Sequence, residues 1–263
     1  MQVLDHGYLK LAEPEDENVW GSDENIIRAA RMSTDGAFRG WGTACACTVT
    51  PYDSRKHNPE SNREKEPDLD CHFCKGSGYT TGDEKLLRYL WENKHLTPFE
   101  MAGCAVEIQA PIFVVREWHR HRTQSYNELS GRYTELPDLY YIPSVERLVR
   151  GKQAIKNKQS SEGGFTGMQA EYFQQVIREA TYVARSRYES LLEAGVSREL
   201  ARLVIPVNQY TRFRASANLR NWLGFLTLRL DAGAQWEIRQ YAEAMAKIIE
   251  QHFPRTWSLF NER

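Results

Sequence analysis

The chain of 263 residues has no long apolar run, no internal repeat and no excess of charge of one sign. Without about 20 consecutive apolar residues, no membrane-spanning helix is expected. Lys and Arg number 34 against 35 Asp and Glu, a formal net charge of −1. A neutral chain offers no global field to hold a nucleic-acid backbone. Cysteine is scarce, with five residues, and the opening Met-Gln-Val-Leu-Asp-His-Gly lacks the basic and then apolar pattern of a secretory signal. These absences point to a cytoplasmic protein whose cysteines are free thiols or metal ligands rather than disulfides.

Against that neutral background one stretch stands out. Residues 118–133 read Trp-His-Arg-His-Arg-Thr-Gln-Ser-Tyr-Asn-Glu-Leu-Ser-Gly-Arg-Tyr. Arg120, Arg122 and Arg132 are interleaved with His119, His121, Ser125, Asn127, Ser130 and Gly131, and Glu128 is the one acid. Guanidinium offers a planar fork of donors that matches phosphate and carboxylate oxygens. Small residues and glycine let the backbone approach such a ligand. The segment can be a solvated basic loop or an anion site, and the order of its residues favours a nucleotide phosphate. Local charge in a neutral protein suits a small anion better than a polymer.

The surrounding pattern mixes helices and strands, an α/β or α+β fold with helices dominating the second half. Helices are expected at 23–32, capped by Ser22 or Asp23, and at 83–93, where Leu86, Leu87, Leu90 and Trp91 form a stripe. Residues 104–110 alternate with period two and read as a strand. Pro111 then opens a helix carrying Ile112, Phe113, Val115 and Trp118, which leaves 125–132 as a loop. Residues 152–167 read as a surface loop, 168–193 as a long amphipathic helix, and 197–206 as a short one. Residues 210–217 are strand-like, Asn218 caps a helix to Leu230, and 234–252 form the last helix.

Three further features carry chemistry. Arg202, Arg212, Arg214, Arg220 and Arg229 gather in the C-terminal half. Arg229 follows the apolar run 222–228, so it should be partly buried and paired with an acid or a ligand. His95-Leu-Thr97-Pro98-Phe-Glu100 is a turn in which His95 and Glu100 could project near one another. Residues 34–80 show no apolar period and read as an insert within a single domain spanning 1–263. In that insert Cys45-x-Cys47 and Cys71-x-x-Cys74 could supply four thiolates to a closed, structural zinc site. Cys104, on the expected strand, reads as a buried small hydrophobe, and Ser130 as a ligand-positioning hydroxyl.

Taken together, Arg120-His121-Arg122 followed by Ser125, Asn127, Glu128, Ser130 and Arg132 resembles the signature of flavin-dependent thymidylate synthases. His95-x-Thr97-Pro98-Phe99-Glu100, Asn218-x-Arg220, Leu228-Arg229 and Gln235-Trp-Glu-Ile resemble the family's other motifs, in the same order. The resemblance implies FAD-dependent conversion of dUMP to dTMP, with methylenetetrahydrofolate as carbon donor and NADPH as reductant. It implies FAD contacts from Ser33, Thr97, Arg120, His121, Arg122, Thr123, Glu128, Asn218 and Arg220. It places Glu117, Arg120, Glu128, Leu129, Ser130, Gly131, Arg132 and Arg202 around dUMP, and Arg229 on the uracil as the catalytic group. It also implies a homotetramer with active sites shared between subunits. The chain departs from the family at Gly224 and Gly233, where Asn and His are common, and at Glu117, where Gln is frequent. A zinc-containing nucleic-acid-binding module is the alternative reading, and the neutral charge and C-terminal motifs count against it.

Overall fold

The strand expected near residue 104 forms the middle of the main sheet. The computed structural model describes residues 1–42, 82–155 and 161–262. Strands β1 (Gln2–Val3), β2 (Gly7–Leu11), β4 (Gly103–Pro111), β8 (Tyr210–Asn218) and β5 (Ser125–Glu128) lie in the spatial order β1-β2-β4-β8-β5, and β3 (Val19–Trp20) pairs with β4. Every pairing is antiparallel, which puts the mixed fold on its α+β side. β4 and β8 run in register from Gly103 opposite Asn218 to Pro111 opposite Tyr210. Their inward side chains, Cys104, Val106, Ile108, Phe213, Ala215 and Ala217, are buried. The outward Arg212 and Arg214 are exposed, the usual division for an antiparallel sheet covered on one face.

Helices fill most of the remaining chain, and all but those at 145–149, 167–193 and 198–201 contribute buried residues to the core on the sheet's apolar face. They are α1 (Asp23–Arg31), α2 (Glu84–Glu92), α3 (Ile112–Trp118), α4 (Val145–Val149), α5 (Gly167–Glu193), α6 (Arg198–Ala201), α7 (Leu219–Arg229), α8 (Trp236–His252) and α9 (Pro254–Asn261). Trp118 of α3 is fully buried and centres an aromatic cluster, with Phe225 at 4.6 Å and Phe213 at 5.5 Å between ring centroids. Trp222 and Tyr241 complete it, so sheet, α7 and α8 share one core. Burial of aromatics of this size dominates core energetics. The Cys104 thiol sits in that core, and burial pushes its pKa up to about 12, as expected of an inert small hydrophobe.

Several expectations need correction. Residues 125–128 are a strand, because the outer edge of β8 takes a partner there and Tyr126 packs beside Phe213. Four residues with no apolar alternation carry no periodic signal for it. Ser22, rather than Asp23, caps α1 by accepting from the Asn25 amide. A further helix, α9, follows Pro254 at its first turn, and two short strands, β6 (Lys152–Gln153) and β7 (Ser161–Glu162), flank part of the expected 152–167 loop. No helix among the described residues is long and apolar enough to cross a membrane.

Candidate active site

The basic turn owes its shape to buried partners beneath it. The Trp118 indole donates to Gln124 Oε1 at 3.0 Å, and the Tyr126 hydroxyl donates to the His121 carbonyl at 2.8 Å. These two bonds fasten both ends of the turn to α3 and β5. Arg120, Arg122 and Thr123 are thereby held on the surface with their side chains exposed. Burial raises the Tyr126 pKa to about 12, which keeps the hydroxyl protonated as a donor.

Above the turn lies a cavity of about 490 Å³ lined by Arg120, His121, Arg122 and Thr123, by α7 and by Trp91, Leu96 and Phe99. The α7 contribution is Arg220, Asn221, Leu223, Gly224, Thr227 and Leu228. Asn218 caps α7 by accepting from the Asn221 amide at 3.0 Å, and Asn221 Nδ2 donates to the Thr123 carbonyl at 3.1 Å. Arg220 pairs with Glu100 of the turn Thr97–Met101, so the neighbour of Glu100 is Arg220 and not the expected His95. His95 instead lies near Tyr89, 5.7 Å between ring centroids. A second cavity, of about 690 Å³, is lined by Ser33, His95, Leu96 and Thr97, and Leu96 borders both. The structure thus brings Arg120–Thr123 and Arg220 together, with Asn218 capping the helix beside them, and sets Ser33 and Thr97 in the adjoining hollow.

Arg229 ends α7 and is indeed paired, with a side chain only 15% exposed. Its Nη1 lies 3.1 Å from Glu117 Oε2, its Nη2 donates to the Glu117 carbonyl, and its Nε donates to His121 Nε2 at 2.9 Å. Burial, then the charge of Arg229, pushes the His121 pKa down to about 4, with Glu117 opposing. The imidazole is neutral at pH 7.

The remaining candidates form a separate group. Thr211 Oγ1 donates to Glu128 Oε1 at 2.8 Å, and the Leu129 amide donates to the Arg212 carbonyl, so this segment continues from the β5 edge. The Ser130 hydroxyl accepts from the Arg132 amide at 3.3 Å. A Cβ on Gly131 would stand 3.4 Å from Arg202 Cδ, which puts Arg202 directly over the glycine. Arg132 pairs with Glu199 at 3.1 Å, both groups half exposed. None of residues 128–132 lines the cavity of Arg120–Thr123.

Sequence reading missed Trp91, Leu96, Asn221, Leu223 and Leu228 as cavity residues. Arg220, Gly224, Thr227 and Leu228 are spaced three and four apart, the helical period that sets them on one face, so that face was open to discovery. Gly224 meets no atom within 4 Å of a built Cβ, so the departure there leaves open space in the cavity. No group of three or more His, Cys, Asp or Glu suited to a metal occurs among the described residues. Cys45, Cys47, Cys71 and Cys74 lie outside them.

Comparison with known proteins gives one answer at three levels. The profile of the Thy1 family, thymidylate synthase complementing protein, matches residues 17–255. A flavin-dependent thymidylate synthase of Thermus thermophilus is 44% identical over 260 residues, covering 99% of this chain and 77% of that protein. One from Thermotoga neapolitana is 36% identical over 261 residues, covering 98% and 92%. The crystal structure of the UMP/dUMP methylase PolB from Streptomyces cacaoi, bound with 5-Br UMP, superposes with a TM-score of 0.74 at 28% identity, covering 100% and 97%. The chain belongs to the flavin-dependent thymidylate synthase family.

Proposed function

We propose that this protein is a methyltransferase that converts dUMP to dTMP in the cytoplasm, with FAD as cofactor, methylenetetrahydrofolate as carbon donor and NADPH as reductant. The observation that carries the reading is Arg229, a nearly buried guanidinium fixed next to a cavity with a basic rim. The cavity suits a flavin nucleotide. Arg120, Arg122 and Arg220 offer donors for a pyrophosphate, while Trp91, Leu96, Leu223 and Leu228 offer apolar walls for a ring. Ser33, Thr97, His121, Thr123, Glu128 and Asn218 are the further residues assigned to FAD. Bound and reduced, FAD supplies the hydride chemistry, and the protein positions and polarises.

Methylation at C5 of a uracil needs electron density at that carbon. A fixed guanidinium at the pyrimidine carbonyl and N3 stabilises the negative charge that supplies it, as an oxyanion hole does. Arg229 suits this role because it stays charged when desolvated. Glu117, Arg120, Glu128, Leu129, Ser130 and Gly131 would line the nucleotide site, with Arg132 and Arg202 at its phosphate. A homotetramer sharing these groups between subunits completes the proposal, and Cys45, Cys47, Cys71 and Cys74 are assigned to a closed structural zinc site.

The test is an assay of dTMP formation with flavin absorbance read in parallel. Arg229→Ala should retain the flavin spectrum and lose at least ~100-fold in rate, the scale of removing one preorganised donor. Undiminished dTMP synthesis by that variant would remove Arg229 from the chemistry.

A further inference from the structure

Glu117 of α3 and His121 of the turn after it close on Arg229 from three directions. Nε donates to His121 Nε2 at 2.9 Å, Nη1 to Glu117 Oε2 at 3.1 Å, and Nη2 to the Glu117 carbonyl at 3.2 Å. A guanidinium has five N–H groups and accepts nothing. Among the described residues three are therefore used, by His121 and Glu117, and one remains on each terminal nitrogen. An imidazole nitrogen that accepts from a permanently charged donor must present its lone pair, so the ring is neutral and its proton sits on Nδ1. Phe225 meets that ring edge-on at 4.9 Å between centroids and restricts its rotation.

We propose that His121 and Glu117 are positioning residues for Arg229, fixing the guanidinium plane so that its two remaining N–H groups face the pyrimidine. The inference rests on Arg229 acting at the uracil, as set out above. Its physical basis is preorganisation. Arginine loses much rotamer freedom when it is fixed, and a clamp that orders the side chain in advance removes that cost from the reacting complex. The clamp also holds the donors where charge develops, so nothing needs to reorganise as it does.

The charged groups around the imidazole are Arg229 from α7, Glu117 from α3, and Arg120 and Arg122 in its own turn. Arg229 disfavours a second positive charge on His121, while Glu117 favours it. Protonation of Nε2 would replace the bond to Arg229 with two donors facing each other. His121 therefore acts as a neutral acceptor across the working pH range. Glu117 contributes both a carboxylate and a backbone carbonyl, and the carbonyl survives any substitution of the side chain.

The experiment is nitrogen-15 imidazole NMR on the full-length, FAD-loaded protein, with the His121 signal assigned by its loss in His121→Gln. The expected result is an Nδ1–H tautomer that does not titrate between about pH 5 and about pH 8, the range where an unperturbed histidine changes charge. In Arg229→Leu the same ring should titrate closer to the ordinary histidine value. A ring that carries its proton on Nε2, or titrates near the ordinary value in the wild type, overturns the clamp. Kinetics supply the second readout. Measured at saturating FAD, His121→Leu should lower kcat by ~10-fold or more, and His121→Gln, whose amide oxygen can accept, should recover most of the loss. At saturating dUMP, Glu117→Gln, which keeps an acceptor oxygen for Arg229 Nη1, should lose less of kcat than Glu117→Ala, and equal loss in the two overturns the role of that oxygen. Equal kcat for His121→Leu and wild type overturns the positioning role. Should Arg229→Ala retain full dTMP synthesis, the catalytic reading falls on its own, and the imidazole signature still reports whether the clamp exists.

Discussion

Asp23 illustrates how a single carboxylate can serve an element far away in sequence. It opens α1, yet its oxygens accept from the amides of Arg255 at 2.8 Å and Thr256 at 3.2 Å, and from the Thr256 hydroxyl. Those amides belong to the first turn of α9, whose own N-cap residue, Phe253, supplies no side-chain cap. A negative group at a helix N-terminus satisfies free amides and complements the dipole. The site is buried, so removal strands donors away from water. Asp23→Ala should therefore cost about 2 kcal/mol, combining a lost cap with unsatisfied donors, read as a lowered urea midpoint at unchanged slope. Asp23→Asn, which keeps one acceptor oxygen, should cost less. Equal stability of Asp23→Ala and wild type would show that α9 caps itself with water. In sequence Asp23 looks like a local cap, because nothing in the local pattern announces a partner more than two hundred residues on. Arg229 is the opposite case. An arginine placed after an apolar run had to find an acid or a ligand, and Glu117 is the acid it finds. The need was legible, while the identity of the partner depended on how α3 and α7 meet.

At the scale of elements, the pairing of β4 with β8 decides where the cavity stands. Gly103 faces Asn218 in the register, and Asn218 is both the last residue of β8 and the cap of α7. A Cβ on Gly103 would lie 2.5 Å from the Ala217 carbonyl oxygen and 2.7 Å from Asn218 Cα. Backbone atoms cannot yield as a flexible side chain can, so Gly103→Ala must push the strand end and the helix start apart. Overpacking of this kind costs about 1–3 kcal/mol. For a chain of this size that corresponds to a fall of roughly 5 °C in Tm, with weakened flavin binding because Arg220 rides on the displaced helix. Gly224→Ala is the control. A Cβ there meets nothing within 4 Å, and alanine should stabilise α7 by about 0.5–1 kcal/mol on helix propensity alone. If both variants melt with the wild type, the strand-to-helix junction does not set the geometry of α7. Long elements with strong periodicity, such as β4, α5 and α8, were legible because their apolar faces repeat often enough to define a period. β5 was not, since its edge position comes from the partner strand and its own four residues are polar or half exposed.

At the scale of the whole molecule, one chain holds the two halves of the proposed site in separate places. Arg120–Thr123 line the cavity under α7 and Arg229 adjoins it through His121, while Arg132 is engaged with Glu199 and Gly131 lies under Arg202. The long helix α5 adds a second argument. Met168, Tyr172, Val176 and Val183 are all exposed and fall on one side of it, an apolar stripe that a soluble monomer rarely leaves uncovered. A second copy of the chain on that stripe would cover it and allow one subunit's Arg132 group to meet another's Arg229. Closed symmetric assemblies generate such shared sites in equivalent pairs. Complementation tests this directly. Arg229→Ala and Arg132→Ala should each be nearly inactive alone. Dissociated together in equal amounts and reassembled at random, half of the site-sharing pairs are mixed. Each mixed pair holds one site with both substitutions and one with neither. Activity should then return to about one quarter of the wild-type level, a fraction set by counting alone for sites shared between two subunits. No recovery, with size exclusion confirming that mixed assemblies formed, would place Arg229 and Arg132 of the same chain in each site and require the two halves to close on one another within a subunit.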